Sequence, residues 1–150
     1  MNQIKKILIS SDQEMIQLGE KLGKNLSAGD VVELQGELGA GKTTLVKGIG
    51  NILGIKEITS PTFTISKIYN SNPKLVHIDL YRLQGSPMAF FDDLDIESYL
   101  EKSILVIEWG NHFTARISSD YLQVQIDITS ENSREVTFSS NSEKFGKLVL

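Results

Sequence analysis

Residues 31–54 read VVELQGELGAGKTTLVKGIGNILG. Val31-Val32-Glu33-Leu34-Gln35 is short, rich in β-branched and apolar residues, and runs directly into a glycine-rich turn, which predicts a buried strand. Leu45, Ile49, Ile52 and Leu53 then recur at helical spacing, and Gly54 marks where that helix stops. The connecting segment Gly36-Glu37-Leu38-Gly39-Ala40-Gly41-Lys42-Thr43 satisfies G-x-x-x-x-G-K-[ST] at every defined position, in the strand-to-helix context that gives the pattern its meaning.

Each residue type in that segment has a physical reason. Glycines let the backbone wrap with its N–H groups turned inward, and the following helix adds its own unpaired N–H groups and the positive end of its dipole. Such a cradle fits the phosphates of a nucleotide, held by the backbone of Glu37 through Gly41 and by the helix start at Lys42, Thr43 and Thr44. Lys42 is a mobile point charge for the β- and γ-phosphates, and the Thr43 hydroxyl is a hard oxygen ligand for Mg²⁺.

Upstream, an apolar stretch ends at Ile9, and Ser11-Asp12-Gln13-Glu14 has capping-box spacing. Met15, Leu18 and Leu22 follow at helical intervals, so a helix is expected at about 12–26. Downstream, residues 62–69 and 75–80 read as strands separated by the turn-like Asn70-Ser71-Asn72-Pro73. Asp95 to Lys102 reads as a helix, and Ile104 to Ile107 as a buried strand. From Tyr121 to Phe138 the pattern alternates, with Leu122, Val124, Ile126 and Ile128 on one face, then a polar turn, then Val136 and Phe138. That is an antiparallel hairpin with one wet face. Ser142 to Leu150 has the look of one last short helix.

A phosphate loop needs a second carboxylate at the end of a neighbouring strand, to hold Mg²⁺ or to orient the attacking water, and two are on offer. Asp79 closes Leu75-Val76-His77-Ile78-Asp79, and Glu108 closes the run beginning at Ile104, each at a carboxyl edge where ligands bind in open α/β sheets. Spacing gives them equal standing. His77 shares a strand face with Asp79 and reads more simply as a hydrogen-bonded buried imidazole than as a site residue. Tyr81 and Arg82 follow directly, Arg82 as a cis arginine finger or a structural ion pair. Ser60-Pro61-Thr62-Phe63 lies where nucleotide switches place a loop that feels the γ-phosphate, although Pro61 also suits a plain strand entry. Trp109, beside Glu108, serves as packing surface or as base-stacking platform.

The chain has 150 residues, 40% of them hydrophobic, with 15 basic against 19 acidic side chains, as expected of one domain spanning residues 1–150. Three scattered prolines and the absence of repeats leave no linker. The lack of cysteine excludes disulfides, thiolate metal sites and cysteine nucleophiles, and fits a reducing, cytoplasmic setting. A net charge of −4 argues against a broad basic surface for nucleic acid. No apolar run approaches the roughly 18 residues of a bilayer span, and the N-terminus turns polar where an export signal would stay apolar, so no membrane is expected.

Four segments occur in order: GELGAGKTT at 36–44, SPTFTI at 60–65, HIDLYRL at 77–83 and IEW at 107–109. Together they closely resemble the TsaE family of bacterial tRNA threonylcarbamoyladenosine biosynthesis proteins, small P-loop ATPases, and the likeness runs from the LGEKLG helix at 18–23 through the hairpin. The resemblance implies an α/β three-layer P-loop sandwich, with a mixed, mainly parallel central sheet and a C-terminal antiparallel hairpin. It implies an ATPase that is weak alone and acts with a TsaB–TsaD heterodimer, which installs threonylcarbamoyl on the adenosine next to the anticodon of ANN-decoding tRNAs. The tRNA would be met only through that complex. By motif match, ATP would be held by Lys42, Mg²⁺ by Thr43 and Glu108, and Asp79 would serve hydrolysis by orienting water. Ser60 and Thr62 would be switch-like, and Trp109 would neighbour the nucleotide or a partner. The nucleotide would also touch Ser11 or Asp12 and the region of Arg134.

Departures from the family pattern lie at Gln84-Gly85-Ser86-Pro87-Met88, at Asp93-Leu94-Asp95 and at Gly110-Asn111-His112, and they bear on partner contacts rather than on the nucleotide site. Two rivals stand beside this reading. A small-molecule kinase would share the loop but needs an arginine-bearing lid, and the three dispersed arginines Arg82, Arg116 and Arg134 do not supply one. A non-hydrolysing adaptor would use ATP only as a ligand. A GTPase lacks its N-K-x-D segment here.

Overall fold

The computed structural model describes residues 1–85, 95–110 and 112–150. Seven strands among them build one sheet: β1 Asn2–Ile9, β2 Val31–Gln35, β3 Ser66–Tyr69, β4 Lys74–Asp79, β5 Ser103–Glu108, β6 Leu122–Ser130 and β7 Ser133–Ser140. Their order is β1-β7-β6-β2-β5-β4-β3. The inner strands β6, β2, β5 and β4 run parallel, while β7, β1 and β3 join antiparallel at the two edges. The sheet is therefore mixed and parallel in its middle, as expected.

Both faces of β2, β4 and β5 are covered, which is why β5 is buried at every position and reads as an unbroken apolar run, whereas β6 alternates between buried and more exposed positions. On one face, helices α1 (Asp12–Asn25) and α2 (Lys42–Ile52) bring Leu18, Leu22, Leu45 and Ile49 against Val32, Leu34, Val106 and Val124. On the other, Ile96 and Phe113 pack with Val31, Ile78, Leu105 and Ile107. Phe113 belongs to a short helix, α3 (His112–Ile117). These are the three layers that the family resemblance implied. Where α1 and α2 cross, Gly19 and Gly48 meet backbone to backbone: a Cβ on Gly48 would lie 2.1 Å from the Ile16 carbonyl oxygen and 2.7 Å from the Gly19 Cα.

Several elements differ from expectation. The third strand begins at Ser66, not 62, because the N–H groups of Thr64 and Ile65 both donate to the Pro61 carbonyl, at 3.0 and 2.7 Å, and close a turn instead of joining the ladder. Ile65 sits there at φ 69°. The segment expected as a helix from Asp95 is a 3-10 helix, Ile96–Lys102, in which the Ser98 amide and hydroxyl both return to the Asp95 carbonyl. The tail forms only a 3-10 turn, Phe145–Lys147. The N-terminal apolar stretch is β1, paired with β7, and α3 had no counterpart in the reading. The family departures at 86–94 and at 111 lie outside the described residues. Among the described residues no helix is long and apolar enough to cross a membrane.

Candidate functional site

The glycine loop leaves β2 at Gln35 and enters α2 at Lys42. At Gly36 it passes so close to β6 that a Cβ would stand 2.7 Å from the Ile126 carbonyl oxygen, and Gly41 caps α2 at φ 108°, a conformation open to glycine. Because Gly41 brings no side-chain acceptor, the first-turn N–H groups of α2 have no cap other than what the loop faces. The Lys42 ammonium donates to the carbonyl of Gly36 at 2.5 Å and lies 4.9 Å from the centre of the Trp109 ring. It is thus held at the loop mouth by a carbonyl dipole and an aromatic face.

Asp79 and Glu108 are neighbours across the parallel β4–β5 pair, in register at the carboxyl ends of both strands. They face the helical layer that carries the loop, and both are buried. Asp79 has both oxygens engaged: Oδ2 accepts from the Thr62 hydroxyl and Oδ1 from the Tyr81 amide, each at 2.9 Å. The 61–65 turn is what brings Thr62 there, and the Ser60 and Thr62 hydroxyls lie 2.7 Å apart. Among the described residues Glu108 is held on one side only, with Oε2 at 3.0 Å from Nε2 of the fully buried His77.

These groups share a cavity of about 1250 Å³. One wall is the loop from Glu37 to Thr44; a second holds Asp79, Glu108, Ser60, Thr62, Tyr81 and Trp109; a third holds Ser11, Asp12 and Arg134. All the residues given a site role from sequence line it except Arg82, whose guanidinium donates to the Phe63 carbonyl at 3.1 Å and so ties the 61–65 turn to the chain after β4. Ser11 is the N-cap of α1, its hydroxyl accepting from the Glu14 amide. Arg134 is a strut: Nε and Nη2 donate to the Ala40 and Gly39 carbonyls, and Nη1 to those of Ser130 and Ser133. Trp109 stands at φ 58° with its ring edge-to-face against Tyr81, centroids 5.0 Å apart.

Ile9, Ser10, Met15, Phe63, Glu131 and Asn132 also line the cavity and were given no site role from the sequence, Phe63 appearing there only within the 60–63 loop. Ile9, Ser10 and Met15 flank the capping box, whereas Glu131 and Asn132 arrive only because the β6–β7 turn folds over the loop. The oxygen donors Thr43 and Glu108 suit Mg²⁺, which takes one or two protein oxygens beside phosphate oxygens and water. Among the described residues no cluster of three or more His, Asp or Glu stands ready to cage a metal by itself. On the opposite face of the sheet, burial raises the Tyr121 phenol above its ordinary range, and the Glu33 carboxylate adds to the effect.

The profile of the family described as "Threonylcarbamoyl adenosine biosynthesis protein TsaE" matches residues 9–136. The tRNA threonylcarbamoyladenosine biosynthesis protein TsaE of Streptomyces coelicolor is 42% identical over 139 residues, covering 87% of this chain and 93% of its own. The protein of that name from Bacillus subtilis is 37% identical, over 80% of this chain and 75% of its own. The crystal structure of B. subtilis YdiB superposes with a TM-score of 0.79 at 30% identity, covering 96% of this chain and 90% of that one. A family profile that spans the loop, both strand-end acids and most of the hairpin, together with relatives matched over most of the chain, places the protein in the TsaE family of tRNA threonylcarbamoyladenosine biosynthesis.

Proposed function

We propose that this chain binds and hydrolyses ATP with Mg²⁺, and that hydrolysis keeps a TsaB–TsaD transferase turning over as it modifies the adenosine beside the anticodon of ANN-decoding tRNAs. The observation that carries the proposal is the meeting of the Lys42 loop with two buried carboxylates in register on β4 and β5.

The roles follow from what holds each group. Backbone N–H groups from Gly39 to Thr44 receive the phosphates, and Lys42 exchanges the Gly36 carbonyl for β- and γ-phosphate oxygens. Mg²⁺ held by Thr43 and Glu108 neutralises charge that builds on the phosphates. Glu108 suits that role because, among the described residues, only one of its oxygens is engaged. Asp79 is braced through both oxygens and linked to the 60–62 loop, the bearing of a group that orients water and reports on the γ-phosphate. Ser11 and Asp12 at the start of α1, with the hairpin tip braced by Arg134, form the wall at the far end of the loop from the two acids, where the nucleoside lies.

Calorimetry of Mg·ATP with the purified chain, followed by phosphate release in single turnover, tests this reading. Binding with release that rises on adding TsaB and TsaD is expected. Binding without release under any of these conditions would favour the adaptor, and transfer to a small-molecule acceptor would favour the kinase.

A further inference from the structure

His77 has no solvent exposure, lies two residues before Asp79 on β4, and so shares its sheet face. Its Nε2 meets Glu108 Oε2 at 3.0 Å, and its Nδ1 has no hydrogen-bond partner among the described residues. A leucine there would complete the apolar face that Leu75 and Val106 already form, without an orphaned nitrogen. A proton on Nε2 fits this setting, because a carboxylate oxygen can only accept: Nε2 donates to Glu108 and Nδ1 faces no partner.

We infer that His77 is a positioning residue for magnesium: by holding Oε2 it fixes the plane of the Glu108 carboxylate and reserves Oε1 for the ion. The inference rests on Glu108 as the Mg²⁺ ligand. Hydrogen-bond partners of metal ligands fix ligand orientation, and losing one lowers metal affinity about 10–100-fold.

The test titrates a non-hydrolysable ATP analogue into the full chain by calorimetry, across a Mg²⁺ series and in chelator. His77→Leu should raise the Mg²⁺ concentration for half-maximal effect about tenfold while leaving affinity in chelator unchanged. His77→Gln, whose amide nitrogen reaches the place of Nε2, should restore most of the wild-type Mg²⁺ response. A wild-type response in His77→Leu, or an equal loss with and without Mg²⁺, would overturn the proposal. Glu108→Gln separates the two layers: if it abolishes the Mg²⁺ response and His77→Leu does not, only the positioning role fails. If Glu108→Gln keeps the response, the ligand assignment fails and takes the positioning role with it. Should His77→Leu not fold, ¹⁵N NMR of the wild-type imidazoles gives the answer, since the chain has only 2 histidines. An Nε2–H tautomer at His77 whose shifts respond when Mg²⁺ joins the nucleotide is expected; an Nδ1–H tautomer, or no response to Mg²⁺, would refute it.

Discussion

Lys42 shows how one residue can be poised before its ligand arrives. Its charge rests against the Gly36 carbonyl and the Trp109 ring, partners that a phosphate outcompetes because it offers the ammonium a full opposite charge where a carbonyl dipole and a ring face offer only partial ones. Lys42→Ala is expected to weaken Mg·ATP binding roughly ten- to a hundredfold, the worth of one or two such bonds, and calorimetry reads the change directly. Asp79→Ala should separate binding from turnover. ATP affinity stays close to wild type while single-turnover phosphate release falls about 10²–10⁴-fold, the range for losing a group that handles the attacking water. Thr62→Val, which removes the hydroxyl on Asp79 Oδ2, should give a smaller loss in the same direction.

At the scale of elements, the loop depends on how α2 lies against α1. Gly48→Ala drives a methyl into the Ile16 carbonyl and must push the two helices apart, at a cost of about 1–3 kcal/mol. A lower melting temperature is expected together with weaker ATP binding, since α2 carries Lys42 and Thr43. Tyr121, just before β6, gives a pH signature. Its folded-state pKa is raised, so its contribution to stability is complete below the unfolded value near pH 10 and is lost as pH climbs from there through the folded value. Tyr121→Phe should flatten that alkaline fall in denaturant melts. The loop and both acids were legible in the sequence because each is a local signal: a fixed spacing, or a carboxylate ending an apolar run. β1 was not, because Lys5 and Lys6 break its alternation and Leu8 faces solvent, so only pairing with the distant β7 reveals a strand. The reach of Glu131 and Asn132 into the cavity was hidden for the same reason, and the 61–65 turn because its local bonds to the Pro61 carbonyl leave no mark in the spacing of apolar residues.

For the whole molecule, a chain of 150 residues with a net charge of −4 builds a large cavity from its loop, its strand ends and its hairpin tip. Electrostatic capture of a tRNA would need clustered positive charge, and that composition makes a poor scaffold for it. An accessory ATPase whose RNA is held by other subunits reconciles the TsaE family membership with this charge. In the function proposed above, ATP hydrolysis at the Asp79 site sustains repeated rounds of tRNA modification. That coupling is tested most directly by counting threonylcarbamoyl groups added per TsaB–TsaD complex to a transcribed ANN-decoding tRNA, with wild-type chain, with Asp79→Ala and with none. Many rounds are expected with the wild type and about one with either of the others. Equal numbers in all three would contradict it.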